Sequence, residues 1–565
     1  MIETTLEKRV KNAIIRLFGK DYADMTYIQK TANSQFGDYQ SNFALNAARS
    51  LGKKPRDIAT ALADELRTDP VIEKVDVAGP GFINMTLTRD FLSLTVFQGI
   101  SPEKEREEEG VVIIDYSSPN IAKPMHVGHL RSTVIGDSIK RIYRFLGYTV
   151  IADSHLGDWG TQFGKLIVAF RRWLDKEAYS LSPVDELERI YVKFAREAEN
   201  DPALEDEARR ELVKLQDHDP ENMALWQEFV NVSLSEYDKV YKRLGITFDT
   251  MYGESHYHDL MPSIVSELLE KDVARISEGA VVVFFDEEEN LHPCIIRKKD
   301  GAFLYATSEL ACIAFRKENY TIDRVLYVTD ARQETHFKQI FAIADRLGWD
   351  LGLVHIPFGL MGLKDGHFST RKGNVIKLRE LIEEAVSRAR AVVEEKNPEL
   401  SNDEKAAIAE AVGIGAVKYA DLSQNRLSNV TFDWDKMLSF EGNTAPYLQY
   451  TYARIRSLFR KAQETGLILP RENCITIGNE TERALALSLI QFSYSIRRAA
   501  ESYRPNLIAD QLFDIAQKYN TFYNSLPVLK EDRATALSRL QLSVKTGEVL
   551  KEGLELLGIV TVERM

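Results

Sequence analysis

The hydrophobic and polar positions of the chain follow two patterns. Between residues 111 and about 378, short β-branched apolar runs alternate with stretches in which apolar residues recur every three or four positions. The first pattern indicates buried strands and the second indicates amphipathic helices. Beyond residue 379 almost every segment has the helical period. The chain is therefore predicted to form an α/β domain with a doubly wound, Rossmann-like parallel sheet, followed by a helical bundle.

Three domains are expected from the order of these elements. Residues 1–105 combine helical periods with strand-like runs, which favours a small α+β domain. The charged, apolar-free run at 103–110 ends in glycine and is typical of a linker. We expect the sheet domain at 111–380, with an insertion at about 173–300, and the helical domain at 381–565.

Charge and composition narrow the function classes. The chain has 565 residues and a formal net charge of -13, which argues against extended, nonspecific binding to nucleic acid. No apolar run reaches membrane-spanning length, and the first residues lack the layout of a signal peptide. The three cysteines, Cys294, Cys312 and Cys474, are far apart and offer no zinc-binding pair. We expect a cytoplasmic enzyme with no membrane contact, no dedicated metal ligands and no structural zinc.

The segment 118–133 has the residues expected of a nucleotide-binding turn. It joins a predicted strand, Val111–Asp115, to a predicted helix, Leu130–Leu146. His126 and His129 are three positions apart and can share one face of the first helical turn, whose free amides attract phosphate. Gly128 leaves room for close approach of an adenine or ribose. Taken alone, the histidine pair could equally be half of a metal site or a chance pair.

The wider setting of this loop identifies a family. The loop resembles the HIGH motif of class I aminoacyl-tRNA synthetases, and the string from Ser117 to Thr133 resembles the arginyl-tRNA synthetases. Further strings resemble that family in the same order, at Gly157–Gly164, Gly253–Ser255, Arg332–Phe337, Val412–Tyr419 and Glu441–Tyr447. The resemblance covers essentially the whole chain. It implies that ATP, with Mg²⁺ bound through its phosphates, activates L-arginine for transfer to the 3' end of a tRNA, and that activation itself needs the tRNA.

The resemblance also implies which residues handle ATP. The catalytic residues would be His126, His129, Lys123, Arg371 and Lys372, and the ATP-binding residues would be His126, Gly128, His129, Asp158, Gln162 and Arg371. The loop 365–374 resembles the KMSKS loop of the class but departs from its consensus. Arg371 stands in place of the second lysine of the motif and Lys372 follows it, so we expect Lys123, Arg371 and Lys372 to share the role.

An arginine substrate requires buried carboxylates that accept its planar guanidinium. By resemblance these are Glu254 and Glu309, with Tyr305 four residues before Glu309. The family usually has aspartate where Glu309 stands, so the pocket must accommodate one more methylene. The other residues implied to bind arginine are Ser118, Asn120, His155 and Gln333.

The tRNA is expected to contact both ends of the chain. Aromatic and basic side chains follow one predicted helix of the C-terminal part, which resembles the DALR anticodon-binding domain, and such side chains stack on unpaired bases. The implied tRNA contacts are Tyr447, Tyr450, Arg454 and Arg456 in this helix and Phe82 and Asn84 in the N-terminal domain. An aromatic stripe at helical spacing also fits a packed core. A monomer is the expected oligomeric state.

Two other functions share parts of this pattern. A nucleotidylyltransferase would have the histidine loop and the sheet but would lack the long helical part at 380–565. A noncatalytic tRNA-binding paralogue would be expected to have lost His126, His129 or the basic loop, and these are intact. The pattern favours an arginyl-tRNA synthetase over both.

Overall fold

The computed structural model describes residues 2–31, 34–99, 110–363 and 376–565. The chain forms two compact units. The first unit contains residues 1–103, 440–555 and 560–565, and the second contains residues 104–439 and 556–559. Within the described residues, no helix is both long and apolar enough to cross a membrane.

A four-stranded parallel sheet forms the centre of the second unit. In chain order its strands are Val111–Tyr116, Thr149–Asp153, Ile322–Asp330 and Leu353–Phe358. Their order in the sheet is fourth, third, first, second. Since the first strand lies between the second and the third, the connections leave it towards opposite sides and open a crevice at the carboxyl ends of the strands. The predicted doubly wound sheet is confirmed.

Helices and two small sheets surround this parallel sheet. The helices are Val127–Phe145, Thr161–Trp173, Lys176–Leu181, Pro183–Ala198, Pro202–Gln216, Pro220–Leu244, Met261–Glu270, Tyr305–Asn319, Glu334–Arg346, Leu378–Lys396, Asn402–Leu422 and Trp434–Met437. The small sheets are an antiparallel one, Arg275–Ser277, Ala280–Val283 and Cys294–Arg297, and a parallel pair, Met361–Leu363 with Val430–Phe432. Three insertion helices begin with proline, and Asp201 and Asp219 cap two of them through their side chains.

The first unit joins the N-terminal domain to the C-terminal helices. Its antiparallel sheet has the order Ile28–Lys30, Tyr39–Ser41, Phe82–Leu87, Ile72–Ala78. Its helices are Ile2–Phe18, Phe43–Leu51, Pro55–Leu66, Arg89–Gln98, Ala445–Glu464, Glu480–Ile490, Phe492–Ser502, Asn506–Ser525 and Arg533–Leu556, the last of which crosses into the second unit at its final residue. Arg483 donates to both oxygens of Asp38, at 3.1 and 2.7 Å. This buried contact connects the two parts of the unit.

Two local features differ from the sequence expectation. The helical period of the sequence runs without a break over 483–503, but the helix Glu480–Ile490 ends there and a new one begins at Phe492. At this interruption the hydroxyls of Ser493 and Ser495 donate hydrogen bonds to the carbonyls of Ile490 and Gln491. The helix after the first strand begins at Val127 rather than at Leu130. Its cap is supplied by histidine, which is not among the usual capping residues.

Residues 381–439 belong to the second unit, although the sequence places them with the C-terminal helices. Arg131 on the helix Val127–Phe145 pairs with Asp421 on the helix Asn402–Leu422, and each side chain is only 1% exposed. Arg131 also donates to the carbonyls of Gly359, Arg426 and Ser428. A helical period reveals an amphipathic helix but not its partner, so this packing was not visible in the sequence.

We predict that Arg131→Ala destabilises the second unit by about 3–5 kcal/mol, because it leaves the carboxylate of Asp421 buried without its cation. All five tryptophans of the chain lie in the second unit, so urea unfolding followed by tryptophan fluorescence reports on that unit. The matched control is Arg209→Ala, which removes an exposed ion pair with Asp206 and is expected to change stability by less than about 1 kcal/mol. Equal effects of the two substitutions would contradict the prediction.

Candidate active site

The loop that follows the first strand is held by the helical insertion. The Tyr237 hydroxyl lies 2.7 Å from the carbonyl of Asn120 and 2.8 Å from that of Lys123. The hydroxyl of Ser233 accepts from the amide of Ala122 at 2.9 Å. Both residues lie on the helix Pro220–Leu244. Sequence reasoning missed these supports because a tyrosine and a serine on a helix carry no local sign of a distant partner.

His126 and His129 together cap the start of the helix Val127–Phe145. The Nδ1 atom of His126 accepts from the amide of Gly128 at 3.0 Å, and the Nδ1 atom of His129 accepts from the amide of His126 at 3.1 Å. The ring centres are 3.9 Å apart. With Nδ1 accepting, the proton of each neutral ring resides on Nε2. The cap thus leaves both Nε2–H groups as donors for a ligand.

The electrostatics keep these rings neutral. Burial lowers the pKa of His129 from its ordinary 6.5 to about 3, and the neighbouring His126 adds to that shift. Burial and the positive charge of Lys123 also lower the pKa of His126. Neutral rings donate hydrogen bonds to phosphate without first losing or gaining a proton.

Gly128 provides the space that this cap requires. A Cβ atom at Gly128 would lie 2.7 Å from Cε1 and 2.8 Å from Nδ1 of His126. Any side chain there would displace the His126 ring from its capping position. Glycine is therefore required at position 128 by the capping histidine itself, whether or not a ligand approaches.

The segment that follows the loop 365–374 is hydrogen-bonded to the backbone on either side of His126. The amide of Val127 donates to the carbonyl of Ile376 at 3.2 Å, and the amide of Leu378 donates to the carbonyl of Met125 at 2.9 Å. This short antiparallel pairing places Lys377, in the segment that follows the predicted basic loop, beside His126. Arg371 and Lys372 themselves lie outside the described residues.

Two glutamates predicted to bind arginine share an acidic environment. Burial raises the pKa of Glu254 to about 7; the charges of Asp158 and Glu309 also raise it, whereas His155 lowers it. Glu309 is only 3% exposed, and its Oε2 atom is buried without a hydrogen-bond partner in the part of the chain that the structure describes. Burial, together with the neighbouring Glu309, raises the pKa of Tyr305 well above its ordinary value. A buried carboxylate oxygen without a donor is costly unless a cation or donor joins it.

His155 lies in the same environment. Its ring is 5% exposed and stacks on Tyr257 with ring centres 5.5 Å apart. Neither ring nitrogen has a hydrogen-bond partner among the described residues. Burial lowers the pKa of His155, but the Cys312 thiol and the carboxylates of Glu309 and Asp115 raise it well above the ordinary value.

The other predicted substrate residues differ in exposure and in their contacts. Ser118 and Asn120 are exposed on the loop after the first strand, and Gln333 is exposed at the start of the helix Glu334–Arg346. Gln162 is half-buried and donates to the carbonyl of Trp159. Asp158 is buried, and its carboxylate accepts from the amide and hydroxyl of Ser255 at 2.9 and 2.6 Å. Asp158 thus fastens the Glu254 turn.

A buried cluster that sequence reasoning missed supports the helix of Glu309. Arg316 donates to Asp115 and Asp153, at 2.6 Å each, and to the Tyr327 hydroxyl at 3.2 Å. The three acceptors are neighbours in register on three adjacent strands. Since Arg316 lies on the helix Tyr305–Asn319, the cluster fixes that helix against the sheet. Charged residues inside strands were a signal, but their partner lies far away in the chain.

The predicted tRNA contacts in the first unit separate into two groups. Arg454 lies between the rings of Tyr450 and Tyr523, 4.9 and 5.4 Å from their centres, and donates to Asn520 at 2.8 Å. Asn520 in turn donates to the Tyr447 hydroxyl. Arg456, by contrast, pairs with Glu563 at 2.8 Å. Sequence reasoning missed Asn520 and Tyr523 as members of the first group.

The N-terminal tRNA candidates differ in exposure. Phe82 is half-buried at the start of the strand Phe82–Leu87. Asn84 is 4% exposed, and its side-chain oxygen accepts from Gln40 at 2.7 Å. The neighbouring Gln40 is half-buried and therefore presents more of its side chain than Asn84 does. The roles of all these residues stay predictions.

Three family models match the chain along its length. The class I (R) tRNA synthetase catalytic domain matches residues 93–434, the arginyl tRNA synthetase N-terminal domain matches residues 4–87, and the DALR anticodon-binding domain matches residues 448–565. The arginine–tRNA ligase of Fusobacterium nucleatum is 55% identical over 562 residues, covering 99% of this chain and 98% of its own.

Solved structures agree with these matches. The arginyl-tRNA synthetase of Plasmodium falciparum superposes with a TM-score of 0.84 at 26% identity, covering 100% of this chain and 99% of its own. The arginyl-tRNA synthetase of Thermus thermophilus has a TM-score of 0.83 at 26% identity, with 100% of both chains covered.

A parallel sheet with a capped histidine pair at its carboxyl edge, in a chain matched throughout by these models, defines a class I aminoacyl-tRNA synthetase. The chain belongs to the arginyl-tRNA synthetase family of that class. The family, the fold class and the enzyme class expected from the sequence are confirmed. The full-length match also excludes the nucleotidylyltransferase alternative.

We predict that His129 makes the second unit less stable in acid. The ring is neutral in the folded chain and protonates in the unfolded chain below pH 6.5, so its contribution is complete above that pH and is lost as the pH falls towards 3. At pH 5 the loss is about 2 kcal/mol relative to pH 7. His129→Asn, which keeps a capping acceptor, should show a correspondingly smaller decline in unfolding free energy by tryptophan fluorescence.

The matched control is His292→Asn, at an exposed histidine of the same unit. Its decline between pH 7 and pH 5 should equal that of the unsubstituted chain. Equal declines in all three proteins would contradict the neutral state of His129 in the folded chain.

Proposed function

We propose that the chain activates L-arginine with ATP, forming arginyl-adenylate and pyrophosphate, and transfers the arginyl group to the 3' end of its tRNA. The observation that carries this proposal is that the second unit contains two sites of complementary chemistry. Glu254 and Glu309 are close enough to influence each other electrostatically, and Glu309 has a buried carboxylate oxygen without a hydrogen-bond partner among the described residues. His126 and His129 present neutral donors at the carboxyl edge of the sheet. A cationic amino acid and a triphosphate match these two sites.

In the activation step, the arginine carboxylate attacks the α-phosphorus of ATP, the bond to the bridging oxygen breaks, and pyrophosphate leaves. The Nε2–H groups of His126 and His129 donate to phosphate oxygens, and Lys123 adds positive charge from the loop. Arg371 and Lys372 would add charge from the segment outside the described residues. Positioning and electrostatic stabilisation of the developing charge provide the rate acceleration.

Mg²⁺ is proposed to enter as part of the ATP complex. Among the residues that the structure describes, no group of three or more His, Cys, Asp or Glu side chains is arranged to hold a metal ion. Mg²⁺ often retains waters and binds mainly through substrate phosphates. This fits a site in which the protein contributes hydrogen-bond donors and cations and the substrate brings the metal.

Arginine recognition is proposed to use the charge of the buried glutamates. The guanidinium would donate to Glu254 and Glu309, with Tyr305 beside Glu309, and its arrival would return the raised pKa of Glu254 towards the ordinary range. The α-amino and carboxylate groups would lie at the rim. The residues proposed there are Ser118, Asn120 and Gln333, with His155 behind the glutamates.

Binding of tRNA is proposed to use the first unit. Arg454, Tyr450 and Tyr523 form a stacked aromatic and cationic cluster that suits an unpaired base. The proposal keeps Phe82, Asn84, Tyr447 and Arg456 as further contacts. We also propose that activation needs the bound tRNA and that the enzyme acts as a cytoplasmic monomer.

We predict that labelled pyrophosphate exchanges into ATP only when arginine and the matching tRNA are both present. Glu254→Gln should lower kcat/KM for arginine in this assay by about 100-fold, because it removes one charged partner of a buried ion pair. Citrulline, in which a neutral urea group replaces the guanidinium, should be rejected strongly by the unsubstituted enzyme and less strongly by Glu254→Gln.

The matched control is Glu270→Gln, an exposed glutamate of the same unit, which should exchange normally. Exchange with another amino acid, or unchanged discrimination against citrulline in Glu254→Gln, would overturn the assigned pocket. A folded protein that binds tRNA but never exchanges would favour the noncatalytic paralogue.

We predict that Arg454→Met raises the Kd for tRNA about ten-fold, because a base loses one stacking partner and a positive charge. The control Arg471→Met removes an exposed arginine of the same unit. Nitrocellulose filter binding at one fixed salt concentration measures both, since salt alone changes such affinities. If the Arg454→Met Kd equals the control value, the cluster is structural.

A further inference from the structure

The side chain of Lys123 lies against the helical insertion. Its ammonium nitrogen is 5.1 Å from the centre of the Tyr191 ring. Tyr191 belongs to the helix Pro183–Ala198, far along the chain from the loop that carries Lys123. At this distance the face of an aromatic ring attracts a cation. The contact therefore restrains the end of a long and otherwise flexible side chain.

The same face of this helix also holds the segment that follows the basic loop. Asp185, Glu188 and Tyr191 are three residues apart and lie along one side of the helix. Asp185 accepts from Lys377 at 2.7 Å, and Glu188 lies 3.8 Å from the same ammonium. Lys123 and Lys377, from two segments beside the histidine pair, thus meet one helix.

The Lys123 ammonium is close enough to His126 to affect it. After burial, its charge is the second cause of the lowered pKa of His126. Interactions between charges weaken with distance, so the Tyr191 contact keeps this cation within electrostatic reach of His126 rather than free in bulk water. The side chain is positioned where a phosphate bound by the histidines would need a counter-charge.

A tyrosine ring suits this task better than a carboxylate. Within the described part of the chain, no carboxylate lies within ion-pair distance of Lys123, although its charge reaches Glu188 on the same helix and opposes the rise in the pKa of that carboxyl. A carboxylate in contact with Lys123 would neutralise the ammonium and repel an approaching triphosphate. The ring attracts the cation through its quadrupole and carries no net charge. The ammonium keeps its full charge for the substrate.

We propose that Tyr191 is a positioning residue that holds the Lys123 ammonium beside the histidine pair for the triphosphate of ATP. This inference rests on the proposed phosphate-binding role of Lys123. It adds to the reaction a residue of the insertion that does not touch the substrate and acts through Lys123.

The test is pyrophosphate exchange by the full chain with arginine and matching tRNA. Tyr191→Leu keeps an apolar side chain of similar bulk but removes the ring face, and it should lower kcat/KM for ATP about five-fold. Tyr191→Phe keeps the face and should retain activity within about two-fold of the unsubstituted enzyme. Retained activity in Tyr191→Phe would show that the effect depends on the ring face and not on the hydroxyl.

The matched control lies on the same helix. Lys193 is 5.1 Å from the centre of the Trp173 ring, the same separation as in the Lys123 pair. Residues two apart on a helix point away from each other, so Lys193 faces away from Tyr191. Lys193→Ala removes an equivalent contact and should leave exchange unchanged. Thermal unfolding of each variant identifies any loss of folded protein.

A double-mutant cycle distinguishes this inference from the proposed function. Lys123→Ala should lower exchange, and adding Tyr191→Leu should lower it no further, because the ring would have no ammonium to hold. Unchanged exchange in Lys123→Ala would overturn the role of Lys123 and this inference with it. Loss in Lys123→Ala, combined with normal exchange in Tyr191→Leu or with additive losses in the double variant, would overturn the inference alone.

Discussion

The reciprocal cap between His126 and His129 is the interaction on which the site depends. Each imidazole accepts a backbone amide through Nδ1, so the start of the helix Val127–Phe145 and the protonation state of both rings follow from the same two hydrogen bonds. The cap requires glycine at position 128, and Ile376 and Leu378 pair with the backbone on either side of His126. The same short stretch of backbone therefore starts the helix, sets the two Nε2–H donors and binds the segment 376–378.

Buried charge distinguishes scaffold from site in the second unit. Asp115 and Asp153 receive Arg316, and Asp421 receives Arg131, so these carboxylates are compensated within the chain. At the proposed arginine site the compensation is incomplete: one oxygen of Glu309 lacks a donor among the described residues, and the pKa of Glu254 is raised to about 7. A fold can carry such a cost where a cationic ligand later removes it. Arg316 and Arg131, which are paired with carboxylates, hold the surrounding helices in place whether or not a ligand is bound.

A similar division applies to the basic side chains. Arg454 is held by two tyrosine rings and an asparagine, which leaves its charge uncompensated, whereas Arg456 is neutralised by Glu563 near the end of the chain. Lys123 likewise rests on a ring rather than on a carboxylate. Aromatic contacts restrain a cation without cancelling its charge, so these side chains stay suited to phosphate and nucleobase partners.

Local periods and turn residues were sufficient to predict the central sheet, most of the helices and the place of the histidine loop. Family strings further pointed to Glu254, Glu309 and Lys123. The folded chain was needed to show which side chains hold these residues: Tyr237 supports the loop, Arg316 fixes the helix of Glu309, and Tyr191 contacts Lys123. It also decided that residues 381–439 join the second unit through Arg131 and Asp421. These contacts join positions tens to hundreds of residues apart, and a periodic pattern describes the face of an element but not the partner that will cover it.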